Sequence, residues 1–188
     1  MKKWLGKIFS IHKTKIRKEI HFLNFKWTFW KYHYMIREIY RWENYKKLSE
    51  RFKTVGISLP YEANVLIDDA EIIQIPLKDL RREWQGKLYP LDEISQYKYL
   101  QTKDKKIYED YIQKHIDLGI LPADYDKSTE KFDALIKSMD ENGYDPSKCV
   151  IVLNRDNVLL DGQHRACVLL YKYGGDYEIT AVREKQFR

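Results

Sequence analysis

The stretch DGQHR, residues 161–165, lies between an apolar strand-like segment at 158–160 and an apolar helical segment at 166–171. The start of a helix offers free backbone N–H groups and the positive end of the helix dipole, which together attract anions. Gly162 allows close backbone approach, and the histidine and arginine that follow add side-chain donors. The stretch therefore predicts a phosphate- or nucleotide-binding turn.

A structural explanation of the same residues stays open. Asp161 in front of a helix is a common N-cap, and glycine marks many tight turns. However, His164 and Arg165 place cationic groups at the positive end of a helix, where they are disfavoured. An anionic group is therefore expected to compensate them.

Charge divides the chain of 188 residues into a basic arm and a mildly acidic body. Residues 1–53 contain 15 Lys or Arg against 4 Asp or Glu, whereas the other 135 residues contain 19 against 24. Thirteen of the 27 aromatic residues also lie in this arm. Only the arm is therefore expected to face an anionic partner.

The arm, residues 1–55, combines a basic lead with a hairpin and a helix. Residues 1–18 fit an anionic membrane surface or a solvated basic tail equally well. Alternation around Asn24 predicts two strands joined by a tight turn, and apolar steps of three and four predict a helix over 31–52. No apolar run is long enough to span a membrane, so we expect a cytoplasmic protein, peripheral at the inner membrane face.

The body, residues 65–188, is predicted to be an α+β domain. The pattern indicates strands at 71–77, 149–153, 158–160 and 177–182, and helices at 104–118, 128–143 and 163–174. Residues 78–83 are expected to form a polar turn and residues 84–102 to be irregular.

The order of these elements resembles the ParB/sulfiredoxin superfamily. The resemblance covers about residues 71–183, with a helical insertion at about 88–121. It depends on Ile-Pro-Leu at 75–77, on Phe132, Leu135 and Gly143 in the second helix, and on LDGQHRA at 160–166. It implies a small mixed sheet with packed helices, preceded here by the basic aromatic hairpin and helix.

Departures within the motif favour one branch of that superfamily. Sulfiredoxins carry a reactive cysteine where this chain has Gln163, and ParB proteins carry a helix-turn-helix region for which 23 residues after Arg165 leave no room. The free serine kinases use DGHHR, which differs from this chain only at Gln163. This resemblance implies ATP or ADP as phosphoryl donor, Mg²⁺, and a small hydroxyl-bearing acceptor.

The resemblance also implies roles for individual residues. The nucleotide phosphates are expected at the first turn of the helix, and Asp161 is expected to orient the acceptor hydroxyl or to hold Mg²⁺. A glutamate after the first strand serves as the base in the related kinases, and Glu83 is the best positional match, with Asp79 second. The predicted catalytic residues are Glu83, Asp161 and His164, and the predicted nucleotide-binding residues are Gly162, Gln163, His164 and Arg165.

The arm itself resembles a short N-terminal element of proteins encoded in lipopolysaccharide and capsule gene clusters. The matching segments are KIFS at 7–10 and IHFLNFKW at 20–27, with Asn24 in place of the usual glycine. This resemblance implies a role in surface polysaccharide biosynthesis. It also suggests that residues 1–53 contact an anionic membrane or a glycosyltransferase.

Together these observations predict a nucleotide-dependent kinase that phosphorylates a sugar, a polyol or a similar metabolite. Two alternatives stay open. One is a nucleotide-binding module without turnover, docked on a membrane or a transferase. The other is a ParB-like nucleic-acid binding protein or nuclease, which the acidic body disfavours.

Overall fold

The computed structural model describes residues 9–13, 17–22, 25–30, 32–60 and 69–185, and the side chains within 41–60 and 69–185. The chain divides into two units, Met1–Asn44 and Tyr45–Arg188. The second unit thus begins ahead of the predicted boundary at 55–65. The predicted α+β class is confirmed, because helices and a small mixed sheet make up the second unit.

The first unit contains an antiparallel sheet of three strands, β1 (Phe9–Lys13), β2 (Arg17–Phe22) and β3 (Phe25–Trp30), with β2 in the centre. Helix α1 (Tyr32–Lys53) follows. The predicted turn at Asn24 lies outside the described residues, as does the beginning of the basic lead.

The second unit adds six strands and four α-helices within the described residues. In chain order they are β4 (Ala70–Pro76), β5 (Arg81–Trp84), β6 (Lys87–Pro90), α2 (Ser95–Thr102), α3 (Lys105–Asp117), α4 (Glu130–Asn142), β7 (Ile151–Leu153), β8 (Leu159–Asp161), α5 (Gln163–Tyr173) and β9 (Glu178–Glu184).

The central sheet has the order β4-β9-β7-β8. Strand β9 runs antiparallel to β4 and parallel to β7, and β8 returns antiparallel to β7. Strand β8 is at the edge of this sheet, and Arg81 of β5 forms a bridge with Val158 just before it. Helix α5 starts there and leads back to the central strand β9.

Alternating side chains give the sheet two buried faces, as the period of two in a strand requires. In β7, Ile151 and Leu153 belong to the main core with the helices α2 to α5, whereas Val152 belongs to a smaller core. Leu48 and Phe52 of α1 pack in that smaller core. The C-terminal end of α1 is therefore part of the hydrophobic core of the second unit.

The prediction that residues 84–102 are irregular is wrong. Strands β5 and β6 form a hairpin, and α2 follows it. Gln85 and Gly86 connect the strands with φ of +51° and +75°, which is the pair of left-handed residues that a two-residue hairpin favours. The strands lack a clear apolar alternation, and Leu88 is exposed, so their pattern gave little signal.

No helix in the described ranges has both the length and the apolar composition that crossing a membrane requires.

Candidate functional site

A cavity of about 390 Å³ opens where β8 ends and α5 begins. All five residues of the stretch 161–165 line it, together with the last apolar residues of β8. Helices α3 and α4 and strand β5 form the opposite walls. The residues from these walls are Arg82, Tyr108, Tyr111, Lys131, Phe132 and Leu135, and Tyr125 lies at the loop before α4.

Gly162 is the N-cap residue of α5 and has a left-handed backbone with φ of +90°. A Cβ atom at this position would lie 2.7 Å from Cγ1 of Ile151 and 3.2 Å from its Cα. The close approach that requires glycine is therefore made to β7. This packing contact accounts for the glycine without any ligand.

Asp161 and Arg165 form an ion pair of 2.8 Å across the first turn of α5. Both side chains are largely buried, with 26% and 19% exposed. The anionic group that was expected to compensate the cations at the helix start is therefore Asp161 itself. Because Asp161 is engaged in this pair, it does not cap the helix, and Gly162 provides no side-chain cap.

The first backbone N–H groups of α5 consequently remain available. The first intrahelical bond joins the N–H of Ala166 to the carbonyl of Gly162 at 2.9 Å, so the N–H groups of residues 163–165 precede the regular ladder. The buried Nε of Arg165 likewise makes no hydrogen bond to the described part of the chain. Four N–H donors thus lie together in the first turn of α5.

His164 packs among aromatic rings and is neutral at pH 7. Its ring lies 4.9 Å from Phe132 and shares a hydrogen bond of 3.1 Å with the Tyr108 hydroxyl through Nε2. Burial, followed by the positive charges of Arg165 and Arg82, lowers the pKa of His164 to about 4. His164 therefore acts in this cavity as a neutral hydrogen-bonding group and a weak base.

Positive charge exceeds negative charge along the cavity wall. Arg82, Lys131 and Arg165 contribute three cations, and Asp161 contributes the one carboxylate among the described lining residues. A guanidinium nitrogen of Arg82 donates to the Leu159 carbonyl at 3.4 Å, and the Lys131 ammonium lies 5.1 Å from the centre of the Tyr125 ring. The cavity is therefore suited to an anionic ligand.

The structure does not bring the predicted base Glu83 into this cavity. Glu83 is exposed on β5, and Arg82 lies on the cavity wall instead. Successive residues of a strand point to opposite faces, so these two neighbours face different surroundings. Asp79, the second candidate, is exposed on the short 3₁₀ turn before β5.

The predicted metal ligand Asp161 is the one carboxylate among the described residues that line the cavity. Among the described residues, no three His, Cys, Asp or Glu side chains are clustered as a metal site requires. Mg²⁺ commonly takes one or two carboxylates and completes its shell with water and substrate phosphates. Asp161 fits that single-carboxylate role once its pair with Arg165 opens.

Several site residues were missed by the sequence interpretation. Arg82 and Lys131 come from distant segments, and Tyr108 was recognised only as an apolar position of a helix. If residues 81–84 had been predicted as a strand, Arg82 and Glu83 would have been expected on its opposite faces. Lys131 precedes the buried Phe132, but its place at the cavity depends on how α4 packs against α5.

Comparison of the chain with models of protein families, with curated protein sequences and with solved structures yields no match in any of the three.

Proposed function

We propose that this chain is a nucleotide-dependent kinase that transfers a phosphoryl group to a hydroxyl of a small metabolite. We also propose that its second unit has a ParB/sulfiredoxin-like fold, which the element order from β4 to β9 supports. The observation that carries the functional proposal is the cavity at the start of α5. There, three cations and a helix start without a side-chain cap line one cavity of about 390 Å³.

The phosphates of the nucleotide lie against the first turn of α5. The N–H groups of residues 163–165 donate to them, as helix starts do to anions. Arg82 and Lys131 approach from the opposite wall and neutralise their charge. When phosphates are present, Arg165 has a second anion to pair with, which releases Asp161.

In the transfer step, the acceptor hydroxyl oxygen forms a bond to the terminal phosphorus. At the same time the bond from that phosphorus to its bridging oxygen breaks, and the nucleotide leaves one phosphate shorter. The hydroxyl proton passes to the carboxylate of Asp161, while His164 contacts the transferred group as a neutral partner. Phosphoryl transfer depends chiefly on positioning and charge stabilisation, which these groups supply.

Mg²⁺, when bound with the nucleotide, supplies further charge neutralisation between the phosphates. Asp161 is the residue that would contribute to its shell. Glu83 has no part in this proposal, because it lies away from the cavity.

The basic arm is the basis for proposing where in the cell the enzyme acts. We place the enzyme on the cytoplasmic side, in surface polysaccharide biosynthesis, with residues 1–53 directed to an anionic membrane or a glycosyltransferase. The charge excess of those residues and their resemblance to the lipopolysaccharide and capsule element support this setting.

One observation favours a second candidate, a nucleotide-binding module without turnover. His164 has a pKa of about 4, and Asp161 is paired with Arg165, so the unliganded cavity contains no strong free base. A module of this kind binds nucleotide with the same residues and forms no product.

The test combines nucleotide consumption with matched charge variants. Purified protein is incubated with ATP or ADP, Mg²⁺ and a panel of polyols and hexoses, and phosphate esters are followed by ³¹P NMR. Arg82→Gln and Lys131→Gln are each expected to lower kcat/KM by about 10²-fold, a typical loss for one charge-stabilising donor. Lys137→Gln is the control, because Lys137 is exposed on the same helix as Lys131 and pairs only at 3.9 Å with Glu141.

Each outcome separates the candidates. A phosphate ester that depends on Arg82 and Lys131 but not on Lys137 supports the kinase. Nucleotide affinity without any ester supports the binding module. If the native protein neither binds nor consumes nucleotide, both candidates fail.

A further inference from the structure

The strand register of the first unit divides its three-stranded sheet into two unlike faces. Strand β2 pairs with β1 and with β3, in each case antiparallel and without a register shift. Residues directly opposite each other in such pairs share a face, as do alternate residues of one strand. Three rows of three residues therefore share one face, the aromatic face. The rows are Phe9, Phe22 and Phe25; Ile11, Ile20 and Trp27; and Lys13, Lys18 and Phe29.

The two faces differ sharply in polarity. Seven of the nine positions on the aromatic face are apolar, and five of those seven are aromatic. On the opposite face one of eight positions is apolar. Its residues are Ser10, His12, Arg17, Glu19, His21, Lys26, Thr28 and Trp30. A sheet with this division packs its apolar face against another body and leaves the polar face to water.

Two lysines occupy one end of the aromatic face. Lys13 and Lys18 are register partners, and like charges directly opposite each other destabilise a sheet. Glu19 is the one acidic residue among residues 1–30, and the register places it on the opposite face. An anion that compensates the lysine pair is therefore expected from outside this sheet.

An anionic lipid surface matches both parts of the aromatic face. Aromatic and apolar residues are stable at the boundary of headgroups and acyl chains, and lysines at the margin reach the lipid phosphates. A second copy of the chain is a poorer match. Residues 1–30 contain eight Lys or Arg against one Glu, so two such segments placed face to face would repel each other.

We propose that the aromatic face binds an anionic lipid bilayer, with the Lys13–Lys18 pair at the lipid phosphates. The sheet lies flat at headgroup depth, because the outer strands of an open sheet carry backbone groups that hydrocarbon cannot satisfy. This inference deepens the membrane setting proposed above by assigning it to lipid and to one face. It rests on the proposed function only for the choice of the cytoplasmic leaflet, and the binding itself requires no nucleotide.

The first test compares two substitutions at neighbouring residues of β3. Trp27→Asp and Thr28→Asp each add one negative charge, at positions that the register places on opposite faces. Co-sedimentation of the full chain is measured with vesicles of phosphatidylcholine and phosphatidylglycerol. Thr28→Asp should weaken binding by about fivefold at most, the effect of one charge near an anionic surface. Trp27→Asp should weaken it by about tenfold more than Thr28→Asp, because the aromatic face also loses apolar area.

A second pair of variants adds no charge to an apolar position. Lys18→Gln and Lys26→Gln each remove one positive charge, from the aromatic face and from the opposite face. Lys18→Gln also removes the like-charge pair with Lys13, so it does not destabilise the sheet. Lys18→Gln should weaken vesicle binding by about fivefold, and Lys26→Gln by less than about twofold. This pair decides the outcome if circular dichroism shows that Trp27→Asp is misfolded.

Two results would overturn the inference. One is a folded native chain that does not bind the anionic vesicles, which is the result expected of an arm that docks on a transferase. The other is equal binding within the lysine pair. That equality is expected if charge alone holds the chain at the membrane, or if α1 or a second copy covers the aromatic face.

ATP binding is recorded separately for the native chain and the four variants. The inference predicts equal ATP affinity in all five proteins, because the candidate site belongs to the second unit. Absence of ATP binding in a native chain that binds vesicles counts against the proposed kinase and supports the membrane-binding face.

Discussion

Replacing Gly162 by alanine tests whether the packing against β7 requires glycine at the start of α5. Two effects destabilise Gly162→Ala. An alanine at φ of +90° is in the left-handed region, which costs about 1–2 kcal/mol. The new Cβ would also lie 2.7 Å from Cγ1 of Ile151, and overpacking of this kind costs about 1–3 kcal/mol. We expect a total loss of roughly 2–5 kcal/mol in the free energy of unfolding.

Gly119→Ala is the matched control for the backbone effect. Gly119 has φ of +68°, and no atom lies within 4 Å of the position a Cβ would take. Its substitution should therefore cost only the left-handed strain of about 1–2 kcal/mol. Urea unfolding followed by circular dichroism gives both values under one set of conditions.

A double-mutant cycle isolates the clash. In an Ile151→Ala background the Cγ1 atom is absent, so Gly162→Ala should cost less there than in the native chain, by about 1 kcal/mol or more. Equal costs for the alanine variants at 162 and 119, together with no coupling to Ile151, would refute the packing explanation. Gly162 would then be required for another reason, such as close approach of a ligand.

Two further predictions concern the surroundings of the motif. The pKa of His164 is lowered from 6.5 to about 4, so the unfolded chain binds more protons between these pH values. The free energy of unfolding should therefore fall by about 2 kcal/mol between pH 7 and pH 5 because of this histidine. Urea titrations at the two pH values should show that His164→Gln removes this decrease. An unchanged pH dependence in His164→Gln would contradict the burial of this histidine. The Tyr144 hydroxyl accepts from the Ile151 N–H at 2.9 Å and donates to the Thr180 carbonyl at 2.8 Å, so Tyr144→Phe removes two hydrogen bonds and should cost about 1–3 kcal/mol in urea unfolding. A cost below about 0.5 kcal/mol would show that neither bond matters.

Helix periodicity predicted much of the fold because each long helix buries one regular stripe. In α4, Phe132 and Met139 are buried at the expected spacing, and α3 begins and ends within one residue of its prediction. The hairpin β5–β6 was missed because its strands are short and none of their residues is fully buried. Its strongest signal was the turn at Gln85 and Gly86, and glutamine rarely adopts positive φ.

The motif was found from sequence, but its surroundings were not. Asp161 was expected to cap α5 or to hold a metal, whereas in the structure it forms an ion pair with Arg165. No local sequence pattern distinguishes an aspartate in such a pair from a capping aspartate. Glu83 was favoured over its neighbour by position alone, and a strand presents such neighbours to opposite faces. Arg82 reaches the cavity because β5 lies next to β8, where Arg81 forms a bridge with Val158. Such long-range pairing is not encoded in local spacing.

Equilibrium binding of ATP with Mg²⁺, measured by titration calorimetry without any acceptor, tests the central claim most directly. The claim is that the cavity at the start of α5 binds nucleotide phosphates. Native protein should bind ATP, and Arg82→Gln should weaken binding by about 10- to 100-fold, as expected for one charged hydrogen bond. Lys137→Gln should bind like the native chain. Absence of ATP binding by the folded native protein, or equal affinity of the native chain and Arg82→Gln, would contradict the claim.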